Sequence, residues 1–269
     1  MGASFSSLAL YHACPLKYRY LEVDHLDEPA TPPEWRRAPA LIAETVASEL
    51  DRRLGAGVHA ALLRWQRRVD GGAPPRAADL LAVVREEADG RGLAGKEFEA
   101  AMNRMAAGLG AYAEGPWPKR TTLFLEQAVR HVIQDTDGFG IELKLRVDRV
   151  VRYQRRVAIL DFKTVTPHAF EMAIDEWQLR TYVMAAPELL GLDPSQVRLF
   201  LIDLRSGAEI PVAAGLAALA GARRELLRAG RGIVGGAFGV DGVPARPCWA
   251  CGFRLACPSS LAPDPPHAH

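Results

Sequence analysis

Cysteine is scarce in this chain. Four residues in 269, Cys14, Cys248, Cys251 and Cys257, are too few for a small scaffold held by several disulfides. Aromatics reach only 7% and are scattered, which excludes a stacking platform for single-stranded nucleic acid. Charge of one sign is missing too: 33 basic against 32 acidic residues leave +1, so no uniformly basic coat is expected. No run approaches the roughly 20 apolar residues of a membrane helix. The start, Met1 to Phe5, has neither a basic n-region nor an apolar run, so no signal peptide is read and a cytoplasmic location is expected. What is present is a globular composition, 49% hydrophobic and 24% charged. The length allows one large domain with insertions or two small ones.

Phe5 to Tyr20 has helical spacing broken at Cys14-Pro15. Residues 24–39, rich in Pro and charge, read as a loop. Helical patterns follow over 41–69, 76–89 and 96–114, with Gly71-Gly72-Ala73-Pro74-Pro75 and Gly115-Pro116-Trp117-Pro118 as breaks. The texture then turns to strands. After an apolar run at 123–133, Phe139, Ile141, Leu143, Leu145 and Val147 alternate with polar residues up to Asp148, a period of two. A third strand, 157–163, follows a basic turn. A helix from Asp175 to Leu190, a strand over 197–204 and a helix over 213–229 complete the order. Short connections predict an antiparallel meander of three strands, with the fourth added after a helical crossover.

Asp148 is expected to close its strand, and Asp161 and Lys163 sit two apart on the next, so both leave one face. Packed carboxylates repel, and burial raises the cost. A divalent cation resolves that conflict, polarises a phosphoryl group and lowers the pKa of a bound water, while a neighbouring lysine steadies developing negative charge. His59 of Gly57-Val58-His59 offers an imidazole, Gln178 and Tyr182 lie one helical turn apart, and Glu126 on the preceding strand could line the same cleft. Two arginine stripes could carry phosphate contacts: Arg52, Arg53, Arg64, Arg67 and Arg68, and Arg146, Arg149, Arg152, Arg155 and Arg156. Gly90 to Lys96 matches most of a P-loop, but Glu97 stands where Ser or Thr should hold Mg2+, so ATP binding is discounted. C-x2-C-x5-C at Cys248, Cys251 and Cys257, with Cys14 as fourth thiolate, suits one zinc ion or an iron–sulfur cluster.

The series G-x-H, V-D-R-V, L-D-F-K-T and Q-x3-Y resembles the motifs of RecB-type nucleases of the PD-(D/E)XK superfamily, and Ser4 to Tyr18 resembles their start. The resemblance implies an α/β fold with a restriction-endonuclease-like core: a central mixed sheet, a helical N-terminal insert and a four-cysteine clasp. Residues 1–258 would be one domain, with the insert at about 36–115, the core at about 120–205 and a disordered tail over 259–269. His59, Asp148, Asp161 and the Phe162 carbonyl would hold Mg2+ or Mn2+. Lys163 would activate water, and Gln178 and Tyr182 would support the site and touch the DNA backbone. The cysteine layout is similar to that of AddB-like and CRISPR-adaptation nucleases, implying a [4Fe–4S] cluster, with Zn2+ as the alternative. The implied activity is DNA phosphodiester hydrolysis, as an exonuclease on single-stranded ends, in DNA repair, recombination or CRISPR adaptation, with a possible helicase partner and no membrane. The rival readings are a non-catalytic DNA-binding subunit and a zinc-stapled RNA or protein-interaction module. Two departures stand out: no Gly lies shortly before Asp148, and the stretch from His59 to Asp148 is long.

Overall fold

A computed structural model of the chain describes residues 1–27, 49–164, 169–240, 248, 251–253 and 257–260. For 49, 51, 52 and 169–175 the backbone alone is described. The expected loop beyond residue 27, the helix onset at 41–48, the tail beyond 260 and positions 249–250 and 254–256 of the cysteine motif lie outside these residues.

The described elements begin with β1 (Gly2–Ser4), α1 (Phe5–Ala13), α2 (Pro15–Tyr18), α3 (Glu49–Asp70), α4 (Ala77–Asp89) and α5 (Lys96–Glu114). The strands β2 (Thr122–Gln134), β3 (Gly140–Tyr153) and β4 (Arg156–Lys163) follow, then α6 (Ala169–Met184) and α7 (Ala186–Leu190). β5 (Val197–Asp203), β6 (Glu209–Val212) and α8 (Leu216–Val234) complete them. They fall into two compact units. One takes residues 1–46, 132–144 and 223–269; the other takes 47–131 and 145–222. No described helix is long and apolar enough to cross a membrane.

The second unit is mixed α/β, consistent with a restriction-endonuclease-like core. β3 and β4 are antiparallel from Arg149↔Leu160 to Tyr153↔Arg156, β4 and β5 run parallel, β5 and β6 antiparallel, and β2 pairs with β3. β4 lies between β3 and β5, and every residue from Val157 to Phe162 is buried. A strand covered on both faces must be apolar throughout, which is why Val157 to Leu160 shows no alternation. The helices α3, α4 and α5 supply Leu54, Val58, Trp65, Val83, Met105 and Leu109 to a core shared with Val151, Leu160, Phe162 and Ile202. Gly108 lets α5 reach the β5–β6 turn, because a Cβ there would strike the backbone of Leu204 and Arg205.

In the first unit β1 runs parallel to the start of β3. The Ser4 side chain caps α1 by accepting from Ser7 N at 3.0 Å. Cys14 ends α1 and its Sγ accepts from Lys17 N at 3.4 Å, with Pro15 opening α2. Tyr11 Oη donates to the Ala237 carbonyl at 2.5 Å, and Tyr18 stacks on Phe238 at 6.2 Å. Arg231 of α8 grips the β2–β3 turn through Asp135 at 3.0 Å and Asp137 at 2.6 Å.

Three features differ from the sequence reading. β3 does not end at Asp148 but runs to Tyr153, with Val150 and Val151 buried. β1 is only three residues long, too short to show a period. β6 contains Pro211, tolerated because this strand is last in the sheet order and its proline has no ladder donor to give.

Candidate active site

The registers of β3 and β4 bring the two acidic residues together. Continuing the antiparallel ladder one step beyond Arg149↔Leu160 sets Asp148 opposite Asp161, on one face of the sheet. Where the ladder stops, Asp148 takes over: its Oδ2 accepts from Phe162 N at 2.9 Å. A strand residue turns its N–H and C=O to the same side, so the Phe162 carbonyl faces this carboxylate as well. Asp161, 5% exposed, pairs with Lys163 Nζ at 2.9 Å.

Helix α3 supplies His59, whose Nδ1 lies 3.5 Å from Asp148 Oδ1. One turn earlier Gly55 passes the end of β4 so closely that a Cβ would come within 2.9 Å of Thr164 Oγ1. A side chain at that position would force either the Thr164 hydroxyl or the helix to shift. From β2 comes Glu126, the residue that sequence alone placed only loosely. Its φ of 51° is left-handed, a conformation that costs a non-glycine residue about 1–3 kcal/mol and breaks the side-chain alternation of its strand. Ligand atoms of His59, Glu126 and Asp148 all lie within 4.8 Å of one another. One nitrogen and carboxylate oxygens at that spacing fit a single divalent cation.

The charges are matched one to one. Burial pushes the His59 pKa down, but the Asp148 hydrogen bond and the Asp148, Asp161 and Glu126 charges outweigh it and raise the value to about 9. Burial, with the Asp148 charge, lifts the Glu126 carboxyl above its usual range, against the pull of Arg146, whose Nε stands 2.5 Å from Glu126 Oε2.

Gln178 and Tyr182 complete the wall. Lys163 Nζ donates to Gln178 Oε1 at 3.5 Å, Gln178 Nε2 to Tyr182 Oη at 2.9 Å, and Tyr182 Oη to the Arg146 carbonyl at 2.8 Å. Tyr182 is 1% exposed. Its hydroxyl is spent on Gln178 Nε2 and the Arg146 carbonyl.

One expectation is corrected. Arg149 does not belong to a surface stripe, because it is fully buried. Its guanidinium donates to Tyr112 Oη at 3.0 Å, the Trp117 carbonyl at 3.1 Å, the Arg120 carbonyl at 3.2 Å and Thr122 Oγ1 at 2.9 Å. It pins the α5–β2 connection to β3, and so fixes the strand that carries Glu126.

All four cysteines belong to the first unit, and no disulfide joins them. Burial, then the neighbouring Cys257, raises the Tyr20 pKa, with Cys14 a smaller contributor, so this ring lies near a thiol from each end of the chain. Tyr20 also packs on Phe253, between Cys251 and Cys257, at 5.1 Å.

No curated protein matches this chain. A solved structure described as the crystal structure of SSO0001 is 16% identical, aligned over 79% of this chain and 96% of its own, with a TM-score of 0.36. A family model for the PD-(D/E)XK nuclease superfamily matches residues 3–258. Proteins of that family use divalent metal ions, and a match over nearly the whole length makes this chain a member of the PD-(D/E)XK nuclease superfamily.

Proposed function

We propose that the chain is a divalent-metal-dependent deoxyribonuclease, acting as an exonuclease on single-stranded DNA ends in repair, recombination or CRISPR adaptation. The observation that carries the nuclease reading is the convergence of His59, Glu126 and Asp148 within 4.8 Å, beside the Asp161–Lys163 ion pair. Glu126 joins the ligands His59, Asp148, Asp161 and the Phe162 carbonyl. These residues would hold Mg2+ or Mn2+, which would supply Lewis acidity towards a phosphoryl oxygen and lower the pKa of an attacking water. Lys163 orients that water and offsets charge developing on the phosphorus oxygens. Asp161 and Gln178 hold the ammonium from two sides, and Tyr182 fixes Gln178 against the β3 backbone.

The single-strand and pathway readings draw on the motif resemblance. Purified protein incubated with Mn2+ and with 5′- or 3′-labelled single- and double-stranded DNA, alongside RNA of the same sequence, tests them. Progressive shortening of single-stranded DNA, absent in Lys163→Ala, is expected. Intact substrates with every metal would leave a non-catalytic DNA-binding subunit.

The cysteine set is read as the seat of a [4Fe–4S] cluster that ties the chain's ends. Its support is a donor set of four thiols within one unit, two of them beside Tyr20. Iron, sulfide and zinc content of the purified protein, with its visible spectrum, decides between cluster and Zn2+. A colourless protein holding one zinc overturns the cluster.

A further inference from the structure

Three carboxylates meet at the candidate metal site, and each faces a cationic or protonatable side chain: Asp161 has Lys163, Asp148 has His59, and Glu126 has Arg146. Lys163 and His59 have work to do once a cation is bound. Arg146 is different in kind. A guanidinium has five donors and no lone pair to coordinate a metal. Its Nε nevertheless stands 2.5 Å from Oε2 of Glu126, in the group of side chains whose ligand atoms a cation would need. A carboxylate held this way must be surrendered, at least in part, before it coordinates an ion.

The two partners are also unequal in their surroundings. Glu126 is 15% exposed at its side chain and Arg146 is 71% exposed. The carboxylate is fixed in the site by its strand, while the guanidinium has solvent to move into. The Arg146 backbone is held separately, because its carbonyl accepts from Tyr182 Oη. The side chain can therefore leave Glu126 without disturbing the backbone contact that holds β3.

We propose that Arg146 is a displaceable latch on the metal site: it holds Glu126 in the metal-free protein and yields that carboxylate to an entering divalent cation. The latch keeps Glu126 aimed while the site is empty, and it sets a threshold on metal affinity by competing for the same carboxylate. It rests on the divalent-metal reading above.

The test is calorimetric titration of Mn2+ into the full chain, stripped of divalent ions, with Arg146→Gln, Arg146→Lys and Asp148→Asn beside the parent protein. Losing an exposed ion pair's competition should tighten Mn2+ binding by about fivefold in Arg146→Gln. Arg146→Lys keeps the charge without the planar donor fork and should gain less. It carries the test alone if Arg146→Gln does not fold. Equal or weaker Mn2+ binding in the folded variant overturns the latch. A failure of the metal reading looks different: the parent protein then binds Mn2+ no better than Asp148→Asn.

Discussion

The two candidate sites are built in opposite ways. His59, Glu126, Asp148, Asp161 and Lys163 come from one long helix and three strands, and their side chains are already tied to one another or to backbone: Asp148 to Phe162 N, Lys163 to Asp161 and Gln178, Glu126 to Arg146. The cysteines come from the two ends of the chain. Cys14 lies where α1 passes to α2, and the others where no described helix or strand of more than three residues runs. The first set is arranged by the sheet before a cation arrives. For the second, a metal bound by the four thiolates would add its binding free energy to that of folding. On the function proposed above the first set serves turnover and the second stability, and each of the following experiments presses on that difference.

The largest effect falls on chemistry with the fold left alone. Lys163→Ala should slow DNA cleavage by about 10²–10⁴-fold, the usual range for one acid–base group, while Mn2+ binding, read by calorimetry, changes little. A parallel loss of metal affinity would mean that Lys163 organises the ligands rather than the water. In the other region Cys251→Ser should cost up to about 5 kcal/mol, the chain-entropy value for a tie spanning most of the chain. Urea unfolding reads this directly. If Cys251→Ser unfolds like the parent protein, the contrast between the two regions fails. Arg149→Met comes next. It strands two buried carbonyls and two hydroxyls, and about 3 kcal/mol of stability should go with them. Glu126 should lose its place as well, seen as weaker Mn2+ binding in whatever fraction remains folded.

Much of this was legible in the sequence, and the exceptions have physical reasons. The alternation from Ile141 to Val147 marked β3 because one face is buried, and the unbroken apolar run to Leu160 marked β4 because both are. The x-spacing of Asp161 and Lys163 and the helical spacing of Gln178 and Tyr182 translate directly into shared faces. Glu126 was less clear, since a positive φ inside a strand erases the period that would have aimed it. Arg149 was misread because its hydrogen-bond acceptors, the Trp117 and Arg120 carbonyls among them, are about 30 positions away and backbone oxygens leave no mark on composition. Gly55 preceded the visible G-x-H motif, and only the approach of Thr164 gives it a reason.

The smallest effect concerns protons. In the metal-free protein His59 titrates at about 9, raised from the ordinary value near 6.5. A group whose folded pKa is raised binds its proton more tightly when folded. Its contribution to stability is therefore complete below about pH 6.5 and disappears as pH climbs towards 9. The side chain is 32% exposed, so after solvent screening the loss should be on the order of 1 kcal/mol. Glu126, also raised, gives a slope of the same sign at lower pH, so His59 has to be isolated by difference. Urea midpoints of metal-free parent protein and His59→Gln, taken from pH 6 to about 9.5, do so: the gap between them should narrow as pH rises. The imidazole would then hold its own proton against the carboxylates in the way a cation would, which ties stability and metal entry to one nitrogen. A gap that stays constant across the range would mean that His59 is neutral in the empty site and that Asp148 is balanced by some other charge.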